Sequence, residues 1–312
     1  MKRILTISLL LCCLLLAACA SSRIGAIGGA DGPTSIFVKG SFGEQHEKRP
    51  VRMFNVDGDL YYDTGILGDL TPRCGTMDGD IKKAVKENEI PLKNGEANFE
   101  ADGYQHATSI TKEVSIDGKW VIFKKYKHLP EKLSDYKHCF YIKGHLNNAD
   151  IDSEFVVLTD NINVTFNDVV APMLSSVKAN EKNGNISYET IVSGDKWGLS
   201  LYADDVTKTG ITIKFEQFGG KPSGELQTGA DYKIETLTRD KWQAVKAKID
   251  NPAWNSIAYG IKKNDLTELK VNWEFLYGEL PPGFYRLSKT VMDFKAAGSF
   301  DEETYFVHFE IK

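Results

Sequence analysis

The sequence predicts a mainly β protein: an apolar leader and a flexible tether, then a small antiparallel β-rich domain, then a C-terminal β-sandwich. Three observations carry this reading. Asp-Gly separates β-rich runs at Asp57-Gly58 and again at Asp117-Gly118, and that pairing is the strongest short-range hairpin signal. Beyond residue 196, seven short runs rich in β-branched and aromatic residues are divided by turn residues, with no convincing helical period. The 13 Tyr, 16 Phe and 5 Trp lie almost entirely beyond residue 50, so that is where cores can be built.

The leader is residues 1–18. Lys2 and Arg3 are followed by an apolar run from Ile4 to Ala18, and the chain turns polar at Ser21. Charge, apolar core and small-residue exit are the parts of a secretory signal. The run is shorter than the roughly 20 residues needed to cross a bilayer core, so it reads as a removable segment rather than a permanent span. Its exit, Leu16-Ala17-Ala18-Cys19, resembles the lipobox of bacterial lipoproteins, where a diacylglycerol is attached to the cysteine before cleavage. The resemblance implies cleavage before Cys19, lipid on Cys19, and residence on the extracytoplasmic face of the cell membrane. Cys12 and Cys13 are preceded by Leu11 and Cys12, where the lipobox requires a small residue, and cutting there would leave too short an apolar core, so they read as apolar filler.

Loss of Lys2 and Arg3 with the leader takes the formal charge from −5 to −7. Both signs are interleaved, which gives no electrostatic footprint for nucleic acid. No basic block follows Cys19, so the lipid alone must do the anchoring.

Residues 19–49 contain Gly25, Gly28, Gly29, Gly32, Gly40 and Gly43 with few large side chains and read as a tether that cannot repay its ordering entropy. Within it, the run Ile27-Gly28-Gly29-Ala30-Asp31-Gly32-Pro33-Thr34 resembles the GGADGPT signature of the β subunit of sodium-pumping decarboxylases. That resemblance implies an intramembrane sodium-path role for Asp31. The role needs flanking membrane helices, which this sequence lacks, so the residues read as an Asp-Gly-Pro turn followed by a short extended piece from Ser35. The glycines also miss the G-x-G-x-x-G spacing of a phosphate cradle, and no cofactor is expected.

Residues 50–172 read as a β-rich domain of unknown type. Strand-like runs are Val51 to Val56, Asp59 to Asp63, Val114 to Ile116, Lys119 to Phe123, Cys139 to Gly144 and Phe155 to Thr159, with one short helix expected around Asp80 to Glu87. The segment Arg73-Cys74-Gly75-Thr76-Met77-Asp78-Gly79-Asp80 resembles a motif of uncharacterised bacterial surface lipoproteins, which implies no activity. Residues 173–196 are polar and suit an interdomain connection, with one strand at Ile186 to Val192.

In residues 197–312 the expected strands are Gly198 to Ala203, Ile211 to Phe218, Tyr232 to Leu237, Trp242 to Val245, Leu269 to Leu276, Phe284 to Val291 and Thr304 to Ile311. The runs Gly210-Ile211-Thr212-Ile213-Lys214-Phe215-Glu216-Gln217, Val271-Asn272-Trp273-Glu274-Phe275-Leu276-Tyr277-Gly278 and Leu280-Pro281-Pro282-Gly283-Phe284-Tyr285-Arg286-Leu287 resemble a bacterial Ig-like domain found at the C-terminus of surface-anchored proteins. The resemblance implies a sandwich and no catalysis. The region has no cysteine, so its core must rest on packing, and Leu280 to Tyr285 fits a variant of the tyrosine corner.

Few constellations point to chemistry. His138-Cys139 with His145 has the residue types of a thiol and its base. Neighbours on a strand face opposite ways, however, and six residues along it span roughly 20 Å. The expectation is therefore a partly buried Cys139 and an exposed His138. The six His are scattered, with no pair at helical spacing, and Asp57-Gly58-Asp59 and Asp78-Gly79-Asp80 read as turns, so no metal site is expected. Cys74 and Cys139, both in an exported domain, form a candidate disulfide, which would require Cα atoms within about 7 Å. Trp273, Phe275 and Tyr277 share one strand face, which makes Trp273 and Phe275 core. Trp254, on a loop after Pro252-Ala253, is the candidate for surface contact. The expected function is a non-enzymatic, lipid-anchored surface protein that acts as a binding or spacer module for a protein or carbohydrate ligand. The alternatives are an extracytoplasmic enzyme with its site in residues 50–172 and, disfavoured, a sodium-pump relative.

Overall fold

The computed structural model describes residues 25–27, 35–37, 44–68, 75–146, 151–174, 185–191, 195–239, 241–249 and 252–312. Of the described residues, 54% are strand and 3% helix, so the mainly β expectation holds. Strands β1 (Gly25–Ile27) and β2 (Ser35–Phe37) pair antiparallel with Ala26 opposite Ile36. The signature between them, including Asp31, lies outside the described residues, as does the leader with Cys19.

Two sheets build the first domain. After β3 (Glu44–Pro50) come β4 (Met53–Val56), β5 (Asp59–Leu67), β6 (Lys82–Lys83), β7 (Glu96–Ala97), β8 (Gly103–His106), β9 (Thr111–Ile116) and β10 (Lys119–Lys125). β4 to β10 form a seven-stranded sheet in the order β6-β7-β4-β5-β10-β9-β8. Both expected hairpins are present. Asp57 and Gly58 have φ of 57° and 88°, and Asp117 and Gly118 have 51° and 72°. Positive φ at both central residues gives a turn whose twist matches that of the flanking strands.

The second sheet runs β13 (Ile186–Thr190), β12 (Ile151–Thr159), β11 (His138–Leu146), β3. Alternation along β11 gives this sheet two apolar faces. Cys139 joins Val51, Met53, Leu60, Tyr62 and Tyr126 under the first sheet. Phe140, Ile142 and Leu146 instead meet Val164, Phe166, Val169 and Val170, at the start of helix α1 (Phe166–Leu174). Gly144 is where the helix comes closest, because a Cβ there would collide with the Phe166 ring and the Glu44 carbonyl.

Two local expectations are corrected here. The tether expected over residues 19–49 ends short of Glu44, because Glu44–Pro50 is a strand paired with β11, and its charged residues suit a solvent-facing sheet edge. The strand expected at Ile186 to Val192 is present as Ile186–Thr190 and forms the opposite edge of the same sheet. No helix forms at residues 80–87. Ile81, Ala84 and Val85 have helical spacing, but Lys82 pairs with Glu96 and the Ala84 amide donates to Ala97 O at 2.9 Å. The helix is instead at 166–174, opened by a capping box in which Thr165 N donates to Asp168 Oδ2 at 2.8 Å and Asp168 N returns to Thr165 Oγ1 at 3.3 Å.

The C-terminal sandwich has one three-stranded sheet, β14 (Leu199–Asp204), β15 (Gly210–Gln217) and β20 (Leu266–Asn272). The facing sheet contains β16 (Glu225–Thr228), β17 (Lys233–Thr238), β18 (Lys241–Ala244), β19 (Tyr259–Gly260), β21 (Gly283–Ala296) and β22 (Ser299–Ile311). β21 is its spine. β22 follows one edge, while β16 and β17 lie end to end along the other, at Phe294 to Val291 and Ser288 to Tyr285. Between the sheets, Phe309 stacks on Trp273 at 5.4 Å and on Tyr285 at 5.7 Å. Tyr285 OH donates to Pro281 O at 2.8 Å, which closes a tyrosine corner across four residues. Lys289 is fully buried in this spine and donates to Gly229 O and Asp231 O. Burial pushes its ammonium down to about 8.

The expected shared face of Trp273, Phe275 and Tyr277 is a further correction. β20 stops at Asn272, and Tyr277 N bonds back to Trp273 O at 2.7 Å, so the segment is a helical turn in which strand alternation does not apply. Trp273 is 0% exposed, with Nε1 donating to Lys208 O at 2.9 Å, whereas Phe275 is 83% exposed.

The two domains meet through buried charge. Lys124 on β10 lies 2.8 Å from Glu216 on β15 and 3.4 Å from Glu189 on β13, and all three are nearly inaccessible. Lys127 also pairs with Glu216, and its amide donates to Glu189 Oε2 at 2.9 Å. Burial opposes the Lys124 charge, but Glu189 and Glu216 outweigh it and hold the ammonium above its ordinary value. Burial likewise opposes ionised Glu216, and the two lysines hold its carboxyl below the usual range. A second contact joins the turn before β9 to the one before β20, where Thr108 Oγ1 donates to Asn264 O at 2.7 Å and Ser109 N to Asp265 Oδ1 at 3.1 Å.

Trp273→Ala should cost about 3–5 kcal/mol of sandwich stability, whereas Phe275→Ser should change it by no more than about 0.5 kcal/mol; denaturant titration followed by circular dichroism compares them. The interdomain cluster should give a second, pH-dependent signature. A lowered Glu216 pKa contributes stability that is full above the ordinary value of 4.5 and is lost as pH falls through its folded value. A raised Lys124 pKa contributes stability that is full below 10.5 and is lost as pH rises through its folded value. Glu216→Gln should therefore lower the melting temperature near neutrality and flatten the acid limb of its pH profile, and an unchanged acid limb would refute the assignment.

Candidate functional site

The most chemically distinctive cluster lies at one end of the second sheet. His145 near the end of β11 faces Asp152 near the start of β12 in direct register, and His145 Nδ1 is 3.0 Å from Asp152 Oδ1. That bond, against a small opposing effect of desolvation, holds the Asp152 carboxyl below its ordinary value. On the other side of β11, the ladder to β3 pairs Lys143 with Glu47 and then Gly144 with Gln45. His46 is thus the extra residue of a β-bulge, a device that re-aims a side chain. Its ring lies 6.1 Å from that of His145, edge to face. One ligand-type atom from each of His46, His145 and Asp152 falls within 4.8 Å of the other two. His46 and Asp152 are exposed and His145 is half-buried.

The sequence reading expected no metal site because the histidines are far apart in the chain. The legible part of the signal was local: His145 and Asp152 lie seven residues apart on consecutive strands, β11 and β12, that pair in direct register. The third member was hidden because β3 read as tether.

A second feature occupies the outer face of the β21 sheet. Arg286 lies 4.2 Å over the Phe306 ring and 4.7 Å from the Trp242 ring, and it ion-pairs with Glu235. The His308 ring is 5.5 Å from Trp242, and burial, followed by the Arg286 charge, lowers its pKa. Phe284 and Phe300 are exposed on the same strands, with Phe300 opposite Phe294. Aromatic residues occupy both phases of β22, so the sequence pattern does not separate this outer face from the core.

The predicted site residues fare differently. Cys139 is a fully buried free thiol; it accepts from Asn98 Nδ2 at 3.3 Å, and burial pushes its pKa up to about 12. It is inert as a nucleophile in that state. His138 is half-buried rather than exposed, and its Nδ1 meets Asn88 Nδ2 at 3.4 Å. The disulfide partner proposed for Cys139, Cys74, lies outside the described residues. Trp254 is 38% exposed on its loop, with one flank covered by Tyr232 at a ring distance of 5.0 Å. No helix among the described residues is long and apolar enough to cross a membrane.

No curated protein and no solved structure matches the chain. Residues 195–309 match the family model of a bacterial Ig-like domain, which coincides with the two-sheet sandwich described above. The C-terminal part of this chain is a bacterial Ig-like domain.

Proposed function

We propose that the chain is a non-enzymatic, lipid-anchored protein of the extracytoplasmic cell surface, in which the two β domains act together as a binding or spacer module. The observation that carries this reading is the Ig-like domain held against the first domain by the buried Lys124, Glu189 and Glu216 cluster. A joint fixed at two points holds the two domains in one relation to each other, which suits a module that presents a defined surface. Glu216 faces the first domain from the three-stranded sheet, so the aromatic face around Arg286 lies on the opposite side of the sandwich. Its exposed rings offer stacking surface for a protein or carbohydrate ligand. The anchor in this proposal is lipid on Cys19, supported by the Leu16-Ala17-Ala18-Cys19 exit.

Cys19→Ala should abolish metabolic labelling by an alkyne fatty acid and leave an unprocessed precursor or a protein released to the medium. Labelling and membrane retention equal to the unaltered chain would overturn the anchor. Co-sedimentation with insoluble cell-wall polysaccharide separates the two roles: a carbohydrate-binding module is retained and loses retention in Trp242→Ala/Phe306→Ala, whereas a spacer is not retained.

A further inference from the structure

The geometry points to a divalent transition-metal site formed by His46, His145 and Asp152, with Zn2+ as the occupant. Three adjacent strands supply the three groups. β11 and β12 fix His145 opposite Asp152, and the bulge in β3 turns His46 toward them. Their ligand-type atoms already lie within 4.8 Å of one another, and His145 and Asp152 are at 3.0 Å. Tetrahedral zinc with bonds of about 2.0–2.2 Å needs ligand atoms roughly 3.3 Å apart. Rotation of the exposed His46 and Asp152 side chains can close that difference without moving the sheet.

The donor set decides the class of ion. Two imidazoles and one carboxylate suit zinc and its neighbours, whereas calcium and magnesium require oxygen-rich shells. A His–Asp ion pair alone would explain two of these residues but not the third. The bulge interrupts the β3 ladder, and the His46 it displaces is exposed, so it adds nothing to the core. A metal gives that displaced imidazole a partner. Three protein ligands on an open sheet face leave a further position for water or a donor from outside the chain. Because β3 is an edge strand, an ion shared with β11 and β12 would also clamp that edge to the sheet, so occupancy and stability are linked.

The test is titration of Zn2+, and of Co2+ as a spectroscopic probe, into the full chain after leader removal. One equivalent of Zn2+ should bind and raise the melting temperature, and Co2+ should give visible d–d bands without the intense near-ultraviolet absorption of thiolate ligation. His46→Gln and His145→Gln should each weaken Zn2+ binding by at least about tenfold and remove the thermal shift, because each deletes a ligand. Both residues are surface-accessible, and unchanged far-ultraviolet circular dichroism would show that the fold persists. His138→Gln, at the far end of β11, should bind as the unaltered chain does. The proposal fails if the unaltered chain shows no Zn2+ binding at micromolar concentration. It also fails if both His variants retain the same affinity and thermal shift, or if Co2+ reports thiolate ligation.

Discussion

Burial of Lys124 is the constraint on which the arrangement of the two domains depends. An ammonium removed from water costs several kcal/mol unless carboxylates replace its hydration, and one domain cannot supply them all. Glu189 comes from the edge strand of the second sheet, and Glu216 from the sandwich. Lys127 supplies the second positive charge, so two acids and two bases are neutralised together. In the observed docking Lys124 gains a second carboxylate and Glu216 lies against both lysines. The cluster therefore contributes orientation more than net stability, which agrees with the modest net worth of buried ion pairs. The contacts from Thr108 and Ser109 to Asn264 and Asp265 add a second point that opposes rotation.

Each domain reaches its stability by a different route. The sandwich has no disulfide to cross its sheets, and stacked aromatic rings take that place, with Phe309 held between Trp273 and Tyr285. The polar ends of those rings are satisfied by Lys208 O and Pro281 O, so burying them leaves no orphan donor. Lys289 is a buried charge in this interior. Its bonds to two carbonyls organise the turn between β16 and β17 where they meet along β21. The first domain instead layers two sheets and one helix, with β11 contributing a side chain to each layer in alternation.

Both surface features arise from the geometry of strands. Directly opposed residues on antiparallel strands share a face, which puts His145 beside Asp152 and Arg286 beside His308. A bulge adds His46 to the first pair. The neighbouring β17–β18 hairpin adds Trp242 beside Arg286. In each case polar and aromatic groups collect on a face that core packing leaves free, which is the condition for a surface to acquire a binding role.

The sequence by itself determined what depends on a few neighbouring residues. Asp-Gly at 57–58 and 117–118 fixed two hairpins, because left-handed backbone at both turn positions is cheap for those residues. Punctuated apolar runs after residue 196 specified a sandwich, and Tyr285 with the preceding Pro281 its corner. Local pattern misled where two structures share one pattern. Ile81, Ala84 and Val85 have helical spacing, but β7 claims the Ala84 and Val85 amides; Phe275 follows Trp273 by two residues on a turn rather than a strand. What tertiary structure alone decided was non-local. The polar run Glu44–Pro50 became a strand because β11 offered it an edge, and His46 then met residues about a hundred positions away. Lys124 found Glu216 only when two independently legible domains docked. Turn and strand preferences are set by backbone energetics over a few residues, whereas the partner of a charge or an imidazole is chosen by the packing of the whole chain.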